Sequence, residues 1–187
     1  WGAPDEAHPG VSIGCDNYQG GQSITEHLIA LGKRSFAFIG DNGEHAPEFK
    51  ARYNGYFETL MAHGLDKSSV QENANSTEDA GSEAIKSLLQ NKALPQAIVC
   101  ASDLIAMGVL RALRQAKVNV PDDVAVVGYD NIAVSAYTTP SLTTVQQNTK
   151  LAGELLVNTL LKAINNEEVE DYLMPADIII RQSCGSD

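Results

Sequence analysis

Residues 97–130 read AIVCASDLIAMGVLRALRQAKVNVPDDVAVVGYD. Ala97–Cys100 and Val124–Val127 are short, continuous apolar runs, the pattern of strands buried on both faces. Between them, Ser102 offers a helix N-cap. Residues 103–116 are apolar round most of the helical circumference, which predicts a buried helix. Pro121 stands just before the second run. A strand, a helix and another strand in this span make a parallel crossover unit.

The same alternation extends in both directions. Upstream, Val11–Cys15 reads as a strand, and Ile24, Leu28 and Leu31 recur at helical spacing before Gly32. Phe36–Ile39 is a second buried strand. Phe49, Tyr53, Phe57 and Leu60 mark an amphipathic helix ending near Gly64. A weak strand at Ser69–Glu72 leads to a helix carrying Ile85, Leu88 and Leu89. Downstream, residues 131–148 read as a long irregular loop. A helix with Leu151, Leu155, Leu156, Leu160 and Ile164 follows, and Ile178–Ile180 is a last strand. The expected class is α/β, with parallel sheet and helices on both faces. Such sheets take ligands in the crevice outside the carboxyl ends of their strands. Asp103, Asp130 and the pair Asp41–Asn42 all follow strands at that end. The competing reading is that each aspartate caps the helix behind it. That reading is strong for Asp103 and weaker for Asp130, which an irregular loop follows.

The chain has 187 residues, 24 acidic and 13 basic, for a formal charge of −11. Phosphate binding needs clustered Lys and Arg, and Lys33-Arg34 is the only adjacent basic pair. No apolar run approaches the ~20 residues of a membrane helix. Cys15, Cys100 and Cys184 are odd in number and lack metal spacing, which points to reduced thiols in a cytosolic protein. The four histidines, His8, His27, His45 and His63, are scattered and read as solvated. No GxSxG, HExxH, P-loop or CxxC motif is present, so neither an enzyme nor a metal or cofactor is expected. A rim of acids and amides suits reversible binding of a polyhydroxylated molecule.

Longer words in the chain carry a resemblance. DNYQGGQSITEHLIALGKRSFAFIG, residues 16–40, is similar to a segment of the LacI/GalR-family transcription regulators, with Lys33 where the family usually has His. ARYNGYFETLMAHGL resembles a second segment, and residues 97–147 resemble the family signature almost word for word. The closing IIIRQSC resembles the last strand. The initial WG resembles the D-W-G of the purine and ribose repressor branch. Asn75 and Ser76 stand where some members stack an aromatic ring on the ligand, and Ala46 and Glu48 replace polar contacts of the purine branch. Both departures favour a small sugar over a flat purine.

The resemblance implies a periplasmic-binding-protein-like fold of two doubly wound parallel-sheet lobes, the first incomplete in this chain. Residues 35–145 plus 171–187 would form the second lobe. Residues 1–34 plus 146–170 would be part of the first, and the DNA-binding headpiece would be absent. Arg52, Asp103, Asp130 and Gln147 match family positions that hold ligand, while Asp16 and Asn17 match a motif of mainly structural role. The implied function is effector sensing by a cytoplasmic repressor. A small-molecule effector, most simply a sugar, would bind between the lobes, and a homodimer would read operator DNA through its headpieces. The alternative is a periplasmic sugar-binding protein that feeds a transporter.

Overall fold

In the computed structural model, which describes Gly2 and residues 10–186, the elements follow in the order β1 (Ile13–Cys15), α1 (Asn17–Ala30), β2 (Phe36–Ile39), α2 (Pro47–Ala62), β3 (Ser69–Glu72), α3 (Glu78–Gln90), β4 (Ala97–Cys100), α4 (Asp103–Gln115), β5 (Ala125–Asp130), β6 (Thr143–Gln146), α5 (Thr149–Ile164), β7 (Tyr172–Met174) and β8 (Asp177–Ile179). Six strands form one sheet in the order β3-β2-β4-β5-β6-β8. The first five are parallel, and β8 joins antiparallel to β6 through Val145↔Ile178. β1 and β7 pair with each other as a separate parallel ribbon.

The apolar runs became strands because their side chains are buried on both faces. Every side chain of β2 and β4 is at most 3% exposed. Burying one such Phe or Ile stabilises the fold by roughly 1.5–3 kcal/mol. Helices begin where short polar side chains accept the first free amides: Asp16 for α1, Thr77 for α3, Ser102 for α4 and Asn148 for α5. α2 instead opens on Pro47, whose missing N–H costs nothing in a first turn.

Three expectations need correction. β6 lies inside the stretch read as loop: Thr143, Thr144 and Val145 are β-branched and buried, but their polar hydroxyls hid them in the apolar pattern. The last strand, β8, lies one residue earlier than expected, leaving Ile180 beyond it, and an unexpected short strand, β7, precedes it in a different sheet. α1, which the resemblance groups with residues 1–34 of the first lobe, packs instead along α2 on one face of the six-stranded sheet. Its Gly21 faces the Arg52 carbonyl, and Gly55 of α2 faces the Tyr18 carbonyl so closely that a Cβ would collide. Amphipathic spacing says that a helix has a buried face but not which sheet receives it.

The C-terminal segment closes the sheet. Ser183 Oγ donates to the Val126 carbonyl at 2.6 Å and accepts from Thr143 N at 2.9 Å. The three cysteines are buried and unbonded to one another. α5 is different: Leu156, Val157, Leu160, Leu161 and Ile164 are exposed. With Val11, Ile13 and Val169 several of them line an apolar hollow of about 420 Å³. No helix among the described residues is long and apolar enough to cross a membrane.

Candidate functional site

The strand order reverses between β2 and β4, so the carboxyl ends of β2, β4, β5 and β6 form the crevice where this class of sheet takes ligands. Arg52 reaches these strand ends from α2. Its Nε donates to Asn17 Oδ1 at 2.8 Å and its Nη1 to the Ala101 carbonyl just past β4. The same Nη1 lies 3.3 Å from Asp130 Oδ1 at the tip of β5. The guanidinium is 3.8 Å from the Tyr129 ring centroid and 5.2 Å from that of Phe49. A flat, weakly hydrated cation tolerates such a slot better than an ammonium would.

Gln147 directly follows β6, and its Nε2 donates to Asp130 Oδ1 at 2.5 Å. Arg52, Asp130 and Gln147 thus meet at one carboxylate. Burial pushes the Asp130 carboxyl up, and Arg52 first and Gln147 second pull it back down. An open hollow of about 560 Å³ adjoins this carboxylate, lined by Asp130, Asn131, Ile132, Ala133, Gln147 and Thr149. Arg52 itself is buried behind Asp130 and does not line the hollow. The arrangement offers carboxylate oxygens and an amide to hydroxyl groups, with a cation fixing the acid's position.

Asp103 comes to the same strand tips but is fully buried. Its Oδ1 accepts from Thr144 Oγ1 at 2.6 Å and its Oδ2 from Ile132 N at 2.9 Å. Both oxygens are engaged inside the protein and neither faces the hollow. Asp41 also turns inward: it accepts from Gly43 N at 2.8 Å and contacts His45 Nε2 at 2.5 Å. His27 is partly buried, 3.5 Å from the Cys184 thiol, and so departs from the solvated expectation. His8 and Trp1 lie outside the described residues. Sequence reasoning missed Asn17 and Tyr129 as the groups that aim Arg52. It also missed Arg181, whose Nη2 donates to Asn131 Oδ1 at 2.7 Å and whose Nη1 donates to the Leu142 carbonyl at 2.6 Å. The Asp16-Asn17 pair and the arginine of the closing IIIRQSC were visible as words, without a contact partner to explain them. Among the described residues no three His, Cys, Asp or Glu side chains gather as a metal would need.

A model of the periplasmic binding protein-like domain matches residues 25–184. The HTH-type transcriptional repressor PurR of Glaesserella parasuis serovar 5 (strain SH0165) is 33% identical over 98% of this chain. The match covers 56% of that relative, so this chain spans about half the length of the curated relatives it matches. The chain belongs to the periplasmic binding protein-like family. In the structure of a complex of the transcriptional regulator CelR with cellobiose, 33% of residues are identical, with a TM-score of 0.83 over 92% of this chain and 54% of that one. A dimeric lac repressor with a C-terminal deletion superposes with a TM-score of 0.89 at 26% identity, over 96% of this chain and 66% of the other. In this chain the six-stranded body presents its acid, amide and cation where the chain leaves it at Gln147.

Proposed function

We propose that this chain is the effector-sensing part of a LacI-type transcriptional repressor, acting in the cytoplasm and without catalysis. The six-stranded body with α1 is one lobe, and β1, β7 and α5 belong to the other. The chain passes between them near Asp16, Gln147 and Pro175. A small sugar binds between the lobes, its hydroxyls donating to Asp130 and bonded by Gln147, with Arg52 holding Asp130 in place. Closure around the sugar changes the angle between lobes and so the DNA affinity of a homodimer. The observation that carries this reading is the single carboxylate shared by Arg52 and Gln147, side chains of two different segments that meet beside an open hollow. The CelR relative in complex with cellobiose supports a saccharide as the ligand class. The dimeric lac repressor supports self-association. On this chain the exposed Tyr137 and Val134, beside Met107, Leu110 and Arg111 around one groove, offer the surface for it. The relatives' names as transcriptional repressors favour a regulator over a transporter-feeding protein.

Calorimetric titration of the full-length protein with ribose, glucose and cellobiose tests the proposal. At least one of them binds, and Asp130→Ala weakens that binding tenfold or more, since it strips an acceptor from a desolvated hydroxyl. No binding by any of the three, or equal binding by Asp130→Ala and Gln147→Ala, refutes it.

A further inference from the structure

We infer that Asp103 is a positioning residue for the effector site, rather than one that touches the effector. The inference rests on the reading of Asp130 as a ligand contact. Asp130 and Asn131 form a turn that backbone preference disfavours, with φ of 112° and 53°. Positive φ in a non-glycine residue is disfavoured and persists only where surrounding groups hold it. Four bonds hold this turn. Asp103 Oδ2 takes the Ile132 amide at 2.9 Å, and Thr144 Oγ1 takes the Asn131 amide at 3.3 Å. Thr144 donates to Asp103 Oδ1 at 2.6 Å, and Arg181 grips the Asn131 side chain at 2.7 Å.

The carboxylate sits in a space made for it. It stands at the first residue of α4, where the helix N-terminus favours negative charge. A Cβ on Gly128 of β5 would run into Asp103 Oδ1, so the bare glycine backbone leaves room for the acid. With no exposed surface and both oxygens accepting from the protein, Asp103 does not line the hollow. What it does is tie the β4–α4 junction to the turn after β5 and to β6. This sets where the Asp130 carboxylate stands relative to Arg52 and Gln147.

The test uses full-length protein. Asp103→Asn keeps the shape but removes the charge and one acceptor oxygen, so Thr144 must turn its hydroxyl from donor to acceptor or one bond is lost, and the charge-assisted grip on the turn weakens either way. Without any sugar, amide hydrogen exchange at residues 130–133 accelerates at least tenfold while the amides of α4 do not change. With the tightest binder among ribose, glucose and cellobiose, Asp103→Asn weakens affinity about tenfold. On an Asp130→Ala background the same substitution weakens it less than twofold, because Asp103 acts through Asp130. A loss of equal size on both backgrounds overturns the inference, as does unchanged exchange in the turn. If Asp130→Ala leaves sugar affinity intact, the effector reading falls, and the exchange measurement alone decides whether Asp103 holds the turn. Should Asp103→Asn fail to fold, Thr144→Val breaks the same bracket and carries both measurements.

Discussion

Replacing Arg52 with Met tests how the site and the fold share one side chain. Methionine nearly matches the apolar stem, so packing changes little. The guanidinium's partners are another matter. Asn17 Oδ1, in a side chain only 5% exposed, loses its 2.8 Å donor, and the Ala101 carbonyl loses another. Each buried acceptor left alone costs about 1–3 kcal/mol. The pairing with Asp130 at 3.3 Å contributes less, about 1 kcal/mol, because that side chain is 29% exposed and partly screened. Loss of the stack on Tyr129, 3.8 Å away, costs about 1 kcal/mol. These effects share partners and do not add, so the expected destabilisation is about 3 kcal/mol. For a chain of 187 residues that lowers Tm by roughly 6–12 °C. Arg52→Lys keeps the charge but not the fork, and should lose about half as much. Urea and thermal unfolding followed by circular dichroism measure both. A loss under about 1 kcal/mol for Arg52→Met would mean that the buried acceptors find other donors, and the account of this residue would be wrong.

Other outcomes follow from the same structure. Gly55→Ala should destabilise by about 1–3 kcal/mol despite the better helix former, because the methyl meets the Tyr18 carbonyl. Gly153→Ala in α5, with open space around it, should stabilise by up to about 1 kcal/mol, and urea midpoints compare the two directly. Burial raises the Asp103 carboxyl to about 6, against the opposing pull of Thr144 and the Ile132 amide. Its folded-state value lies above the unfolded one near 3.9. As pH falls from about 6 to 4 the folded state takes up the proton first, so this group adds stability at up to about 1.4 kcal/mol per pH unit. His27, lowered by burial, has the opposite sign just below its usual value. The slope difference between wild type and Asp103→Asn therefore isolates the acid, and parallel slopes would contradict the assignment. Tyr137→Asp, on a side chain 85% exposed, should convert the proposed full-length dimer to monomer in sedimentation velocity while leaving sugar affinity within twofold.

The alternation of strand and helix was legible because burial on two faces forces unbroken apolar runs, and β2, β4 and the core of β5 stand where those runs stand. The rim was legible as positions after strands. Direction was not. Asp130 and Asp103 occupy equivalent places in the pattern, yet one opens to a hollow and the other closes on Thr144 and Ile132. The choice depends on Gly128 leaving room and on where β6 passes, and neither appears in local spacing. That Arg52 meets Asp130, 78 residues later, came from resemblance to a family and not from periodicity. β6 escaped notice because a four-residue strand rich in threonine looks like loop. The resemblance grouped α1 with the first lobe, whereas its glycines let it lie close against α2, a packing that carries no apolar signal of its own.

The closing of the sheet by residues 177–184 bears on synthesis. Strands β2 to β5 can associate in the order in which a ribosome delivers them. The outer flank of β6 waits for β8, and Ser183 must reach Val126, some 57 positions earlier, before that flank is sealed. A nascent chain stalled short of this point displays unpaired amides and carbonyls on a threonine-rich border, an invitation to stray strands. Chaperone demand should therefore persist until residues 177–184 have been translated.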